Sequence, residues 1–181
     1  MGVMGLSLMG LSCTNEAITG EVGDESTSQS EEQKVIDRET EDWQIYRHTG
    51  PDYKLKHLKS WYARLTPNPT MGDLEFLNVS TTKEEFTLTD CSFGVTTWDS
   101  SHAGSKKTAQ ERAIETSEVE IDGVKAEKYI WPPNDQYMSH SHFFEKDGYW
   151  YTISFQLKKD KPAEPCLEIV NKILGTFKFG K

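Results

Sequence analysis

The sequence has 181 residues, of which 20 are lysine or arginine and 29 are aspartate or glutamate, so the formal net charge is -9 at pH 7. This length suits one domain with an extension rather than two full domains. The acidic balance argues against a nucleic-acid-binding protein, because such proteins need basic charge to displace counterions from phosphates. No run reaches the roughly 18 apolar residues of a membrane-spanning helix.

The first segment is apolar and uncharged. Residues 1–12 hold no charged side chain and end in Gly10-Leu11-Ser12, directly before Cys13. Short apolar stretches that end in small residues are typical of secretory signals, and this ending is similar to a bacterial lipobox, in which the cysteine is acylated. We therefore predict a lipoprotein-type signal over 1–12 and a lipid anchor on Cys13, on the extracytoplasmic face of a bacterial cell membrane. A plain beginning of a soluble chain is the alternative.

The second segment is acidic and polar. Residues 14–42 contain ten acidic and two basic side chains, whereas residues 43–181 are almost neutral. Sequences so poor in apolar residues cannot bury enough surface to offset the entropy cost of ordering. We predict a flexible, self-repelling linker over 13–42, with a poorly patterned helix as the alternative.

The two other cysteines are Cys91 and Cys166. An odd number of cysteines in an exported protein needs an explanation. If Cys13 carries lipid, the other two can form a disulfide. Two buried free thiols, each acting as a small hydrophobic side chain, are the alternative.

The part from 43 to 181 is predicted to fold as one strand-rich domain. Asp122-Gly123 and Asp147-Gly148 predict two-residue hairpin turns. After the second turn, residues alternate between two faces of a strand. One face holds Tyr149, Tyr151, Ile153, Phe155 and Leu157, and the other holds Trp150, Thr152, Ser154 and Gln156. Helices are predicted over 108–116 and about 164–174. Clustered strands with few helices indicate an α+β fold with a central antiparallel sheet flanked by helices.

Three segments have a characteristic order. They are Val119–Ala126, Asp147–Ile153 and the closing Ile169–Phe179, where a helix leads into Ile-Leu-Gly-Thr-Phe. Together with Tyr46 to Trp61, they resemble the PsbP-like family of extrinsic lumenal and envelope proteins. The resemblance implies a PsbP-like sandwich, and bacterial relatives are often small anchored lipoproteins. Plant relatives assist the oxygen-evolving complex of photosystem II, but no motif here matches a family binding site for manganese, calcium or chloride.

His140-Ser-His142 is the candidate metal site. On a strand, both imidazoles point to the same face, which suits a shared metal. Glu145 or His102 would supply a third ligand, and the function would be that of an envelope metal-binding protein or hydrolase. The alternative is a pair of polar residues at the mouth of a hairpin. We predict no catalytic residue and no cofactor, since neither a nucleophile elbow nor a phosphate-binding glycine loop is found.

Aromatic residues give the main indication of function. Trp131 beside Pro132-Pro133, Trp150 on the polar face of its strand, and Tyr137 form the candidate binding surface. Exposed aromatic residues mark recognition surfaces. The sequence therefore predicts a membrane-anchored, non-catalytic binding or accessory domain. Its partners would be the membrane, through lipid, and an envelope protein, and we expect a monomer.

Overall fold

The computed structural model describes residues 30–67, 75–82, 90–99 and 104–180. The helices of this part are α1 (Glu31–Glu39), α2 (Gly104–Arg112) and α3 (Ala163–Gly175). Its strands are β1 (Gln44–His48), β2 (Tyr53–His57), β3 (Tyr62–Pro67), β4 (Glu75–Ser80), β5 (Cys91–Asp99), β6 (Glu115–Ile121), β7 (Val124–Ile130), β8 (Tyr137–Lys146), β9 (Tyr149–Lys158) and β10 (Lys178–Phe179). The signal over 1–12, Cys13, residues 14–29 and His102 lie outside the described residues. None of the described helices is long and apolar enough to cross a bilayer.

The strands form two antiparallel sheets. The large sheet has seven strands in the order β3-β4-β5-β9-β8-β7-β6, and the small sheet has three in the order β1-β2-β10. Both predicted hairpins are present, and both of their turns have positive φ at the aspartate and at the glycine. Such a pair of residues matches the right-handed twist of the flanking strands. The predicted α+β fold, with an antiparallel sheet flanked by helices, is confirmed.

The main core lies on one face of the large sheet, which we call the inner face. There, α3 and the small sheet pack against the central strands. Tyr151, Ile153, Phe155 and Leu157 are at most 2% exposed, as the alternating pattern predicts. Tyr149 is 40% exposed, because it directly follows the turn and lies at the rim of the sheet.

A disulfide joins the sheet to α3. Cys91 begins β5, Cys166 lies in the second turn of α3, and their Cα atoms are 5.7 Å apart. Of the two alternatives for these cysteines, the structure has the disulfide. The bridge closes a sequence separation of 75 residues, for which the chain-entropy estimate is about 4 kcal/mol of stabilisation, less any native strain.

The linker prediction is wrong for its last part, because α1 forms there. Ser30 caps the helix by accepting a hydrogen bond from the backbone N–H of Gln33, and the acidic first turn suits the positive end of the helix dipole. Gln33 also donates to the carbonyl of Gly175 at the end of α3. Lys172 of α3 lies 3.0 Å from Glu39. The contacts with α3 therefore stabilise α1, which its own sequence would not keep helical.

The middle helix begins earlier than predicted. The alanine spacing predicts a helix over 108–116, but α2 ends at Arg112, and β6 begins at Glu115. Sheet pairing explains the difference, since Glu115 and Thr116 pair with the end of β7. The ladder of the large sheet therefore ends α2.

Candidate binding cleft

The outer face of the large sheet is polar at its centre. Two neighbouring rows of cross-strand pairs run over β8, β9, β5 and β4. Each residue in these rows is a serine, a residue with an amide side chain, or a glycine. We call them the serine rows. They consist of Ser139, Gln156, Ser92 and Ser80, and of Ser141, Ser154, Gly94 and Asn78. The outer face thus lacks, at its centre, the large apolar side chains that fill the inner face.

A cleft of about 420 Å³ opens where the serine rows meet the end of β7, and we call it the Trp131 cleft. Its floor is formed by polar residues of β8 and β9, its walls by the segment between β7 and β8 together with the first residue of β8, and its rim by the end of α2. The lining residues are Ser139, Ser141, Ser154 and Gln156 on the floor, Trp131, Pro132, Asn134 and Tyr137 on the walls, and Arg112 at the rim. The cleft brings together two of the three aromatic residues that the sequence indicates as a binding surface.

The indole of Trp131 is held in one orientation. Its Nε1 donates a hydrogen bond to Ser141 Oγ at 2.9 Å, and its backbone N–H donates to the carbonyl of Ser139 at 3.0 Å. The ring also packs against the aromatic cluster under α2 and is partly exposed. Because its polar edge is already bonded, Trp131 offers the cleft mainly its carbon surface.

Tyr137 is buried, contrary to the expectation of an exposed aromatic residue. Its side chain is 7% exposed. A tight turn draws it in, since Asn134 Oδ1 accepts hydrogen bonds from the backbone N–H groups of Gln136 and Tyr137, at 2.8 and 2.6 Å. An asparagine side chain that bonds the backbone in this way mimics a backbone turn. Tyr137 therefore forms part of the wall and does not protrude as an anchor.

Trp150 lies outside the cleft, beneath α2. It packs at the margin of a second cluster formed by Trp98, Ala109, Tyr129 and Phe143. Lys106 of α2 lies over its ring, with Nζ 5.6 Å from the centroid. Trp150 is partly exposed, and the structure does not bring it into the site formed by Trp131 and Tyr137.

Polar contacts to Glu127 hold α2 on the sheet. The Glu127 carboxylate accepts hydrogen bonds from Lys106 Nζ and from the Tyr129 hydroxyl. The hydrogen bond from Lys106, followed by that from Tyr129, lowers the pKa of Glu127. Burial, followed by the hydrogen bond to Glu127, raises the pKa of Tyr129 to about 12. The carboxylate therefore stays charged and the phenol neutral at physiological pH.

His140 and His142 lie on the inner face, on the side of the sheet opposite the cleft. His142 is 2% exposed, and its ring centroid is 5.2 Å from that of Phe155. Burial is the main cause that lowers the pKa of His142 to about 4. A backbone hydrogen bond with Ile153 acts in the opposite direction, and the charge of Lys128 lowers the pKa further. Burial, followed by Lys128, also lowers the pKa of His140.

The described residues provide no third ligand for a metal at the two histidines. Glu145 pairs with Trp150 and therefore lies on the outer face. Within residues 30–67, 75–82, 90–99 and 104–180, no three His, Cys, Asp or Glu side chains are grouped so that they could hold a metal ion. The nearby Lys128 charge further disfavours a cation at this place.

Sequence reasoning missed the floor and the rim of the cleft. The alternation along β9 places Ser154 and Gln156 on the polar face, but it does not show which residues of β8 lie beside them. The register supplies that information, because it pairs Ser141 with Ser154 and Ser139 with Gln156. No local signal places Arg112 at the same site, since it comes from a helix elsewhere in the chain.

Comparison with known proteins supports the fold alone. No known family matches the sequence, and no curated protein is detectably similar to it. The solution structure of cyanobacterial PsbP (CyanoP) from Synechocystis superposes with a TM-score of 0.51 at 12% identity, over 76% of this chain and 92% of that chain. The chain therefore has the PsbP-like fold that the sequence predicts.

Two further solved structures are more distant. A protein from Bacteroides thetaiotaomicron gives a TM-score of 0.48 at 12% identity, over 77% of this chain and 49% of that one. LpqN, which is involved in cell envelope biogenesis of Mycobacterium tuberculosis, gives a TM-score of 0.39 at 10% identity, over 79% of this chain and 95% of that one. At such distances, no residue role is transferred from either protein.

Proposed function

We propose that this chain is a lipid-anchored accessory domain on the extracytoplasmic side of a bacterial envelope, and that it holds a partner molecule in the Trp131 cleft without catalysing a reaction. The observation that carries the proposal is the composition of the cleft. Its lining combines an oriented indole, a row of hydroxyl and amide groups, and one guanidinium.

The chemistry of the lining favours binding over catalysis. A serine acts as a nucleophile only when a base lies within hydrogen-bond reach. The described residues that line the Trp131 cleft include no carboxylate, histidine or thiol. Groups that orient a ligand are therefore present in that lining, whereas no base that would activate a serine nucleophile, such as a histidine or a carboxylate, is among the described lining residues.

The disulfide supports a location outside the cytoplasm. Disulfides persist in oxidising compartments and are rare where thiols are kept reduced. The Cys91–Cys166 bridge joins two core elements rather than two exposed loops, which suits a structural role. Together with the lipobox-like ending at Cys13, this bridge makes export the natural setting for the fold.

A lipid on Cys13 would act through local concentration. Anchoring converts the capture of a membrane-associated partner into an almost intramolecular event, which raises occupancy without any additional contact. The competing metal-binding or hydrolytic function of His140 and His142 is not favoured by the described structure, since His142 is buried and a cationic lysine lies beside both rings.

Intact mass spectrometry of protein extracted from membranes tests the anchor and the compartment. We expect cleavage before Cys13, added acyl mass, and a mass deficit of two hydrogens from the Cys91–Cys166 bond. Cys13→Ala should remain uncleaved and without lipid. An uncleaved wild-type chain in the soluble fraction with two free thiols would contradict the proposal.

Site-specific crosslinking in cells tests the cleft. The photoreactive residue p-benzoylphenylalanine should give a discrete crosslinked product at Gln156, which is exposed on the cleft floor, and none at the exposed Lys54 on the small sheet. Trp131→Ala should remove the product at Gln156 while export persists and the protein remains folded, with a lower melting temperature because the ring packs against the cluster under α2. Equal labelling at the two positions would sink the assignment of the cleft.

A further inference from the structure

We infer that the ligand of the Trp131 cleft is an oligosaccharide that carries a carboxylate, an inference that rests on the proposed binding function of that cleft. Four features of the cleft lead to this ligand class: the presentation of Trp131, the floor, a second aromatic ring beside the floor, and Arg112.

The first feature is how Trp131 is presented. Tryptophan combines a large apolar surface with one polar N–H group, and here Ser141 uses that group. A ligand that meets this ring gains by stacking and not by hydrogen bonding to Nε1. The face of a sugar ring that presents C–H groups is suited to such a contact, because its hydroxyl groups still point sideways to other partners.

The second feature is the floor. Ser139, Ser154 and Gln156 carry side chains that both donate and accept hydrogen bonds. Within the described part of the chain, no hydrogen bond uses any of these three side chains. Sugar hydroxyls are also both donors and acceptors, so they can pair with the donors and the acceptors of such a floor.

The third feature is a second aromatic side chain beside the floor. The ring of Phe76 lies over Gly94, where an added Cβ would come within 2.8 Å of the ring and 3.0 Å of Ser154 Oγ. Gly94 is on β5, three strand spacings from β7, which amounts to about 14 Å. Phe76 is not among the residues that line the cleft, so only a ligand that extends past Ser154, as a chain of several sugar units does, would reach from Trp131 to its ring.

The fourth feature is the charge at the rim. Arg112 ends α2, is exposed and lines the cleft. A guanidinium binds a carboxylate through two parallel hydrogen bonds. Since no acidic residue is among the described residues that line the cleft, this lining favours an anionic ligand over a neutral one.

An extended peptide fits this surface less well. Peptides that add to a sheet need an edge with unpaired backbone groups. The floor of the cleft belongs to β8 and β9, whose backbone groups are already paired on both sides within the large sheet. The ligand must therefore bind to side chains, and here those are hydroxyl, amide and aromatic groups.

Isothermal titration calorimetry on the folded, disulfide-bonded protein tests the inference with three probes. These are trigalacturonic acid, a hyaluronan tetrasaccharide and neutral galactotriose. We expect at least one acidic probe to bind about tenfold more tightly than galactotriose, since its carboxylate adds charge-assisted hydrogen bonds to the guanidinium that a neutral sugar does not make. Arg112→Gln should abolish that preference, and the exposed Arg38→Gln on α1 should not.

Two further variants separate binding from folding. Trp131→Ala should weaken binding by tenfold or more, and Gln156→Ala, at an exposed position, should weaken it about fivefold with an unchanged melting curve. Absence of binding by all three probes, or binding that Gln156→Ala and Arg112→Gln leave unchanged, would overturn the ligand class.

Combination with the crosslinking experiment distinguishes this inference from the proposed function. If no probe binds but the Gln156 crosslink persists and depends on Trp131, the saccharide is wrong and the partner-binding role stands. If the crosslink is also absent, both are wrong.

Discussion

The two faces of the large sheet differ in how they are covered. On the inner face, α3 buries Cys166, Val170 and Ile173 against a continuous apolar core and is joined to β5 by a disulfide. On the outer face, α2 contributes Ala109 as its one fully buried apolar side chain and is held by an ion pair with Glu127. The contrast teaches that the larger apolar core lies on the inner face, which leaves the centre of the outer face free to carry polar groups.

The largest expected effect comes from the inner face. Phe155→Ala removes a buried ring that stacks on Phe93, with centroids 5.7 Å apart, and should lower the free energy of unfolding by about 3 to 5 kcal/mol. The neighbouring Gln156→Ala, which faces the outer side, should change it by about 0.5 kcal/mol or less. Urea denaturation measures both, and equal losses would mean that the two faces do not differ in this way.

Removal of the disulfide should have the next effect. The double variant Cys91→Ala, Cys166→Ala should lose about 2 to 4 kcal/mol, because the unfolded chain is no longer constrained. The same loss should follow when the wild-type protein is reduced. The matched control is the double variant, whose urea denaturation midpoint should be the same with and without reductant.

His142 should give the inner face a dependence on pH. Its folded pKa of about 4 lies below the ordinary 6.5, because burial disfavours the charged ring. The unfolded chain therefore takes up the proton first, so stability is retained above pH 6.5 and falls by about 3 kcal/mol as the pH drops to 4.

The replacement His142→Leu, which is similar in volume and does not titrate, isolates this effect. The difference in unfolding free energy between wild type and variant should change between pH 6.5 and 4 and stay constant above pH 7. Lys128 and His140 are the other titratable groups whose charges bear on His142, so the same comparison in a Lys128→Met background should give a smaller slope. A pH-independent difference would show that His142 does not titrate in this range.

The smallest effect on global stability should come from the contacts of α2. Lys106→Met removes the partner of Glu127, and since both side chains are partly exposed, we expect a loss of about 1 kcal/mol or less. Amide exchange in α2 should nevertheless accelerate, because the helix opens locally. The control is Lys172→Met on α3, where amides around the buried Val170 should keep their protection.

Sequence patterns predicted the inner face better than the outer one. Alternation from Tyr151 to Leu157 and the Asp-Gly turns are local signals, and they specify strands and hairpins before any tertiary contact is known. The cleft depends instead on register: Ser141 and Ser154 become neighbours only when β8 and β9 pair. Arg112 and Trp131 come from different elements, and their meeting is a property of the tertiary structure.

The errors have a common physical cause. Residues 31–39 have a composition typical of a linker, yet they form α1, because α3 offers a docking surface that the local sequence does not reveal. Tyr137 has the character of a recognition residue, yet the turn at Asn134 places it in a wall. In both cases a hydrogen-bonded contact, made with another helix for α1 and within a tight turn for Tyr137, decided the outcome against composition.

The docking of α1 on α3 also has a mechanical consequence. Tension applied at the N-terminal side of Ser30 would act first on the contacts that join α1 to α3, namely those of Gln33 and Glu39. Beside these two polar contacts, Ile36 of α1 packs against Gly175 at the end of α3, whereas the next connection along the force path is the hydrogen-bonded ladder between β1 and β2, because β1 follows α1 in the chain. α1 would therefore detach from α3 and lengthen the segment that precedes β1 before the strands of the small sheet began to separate.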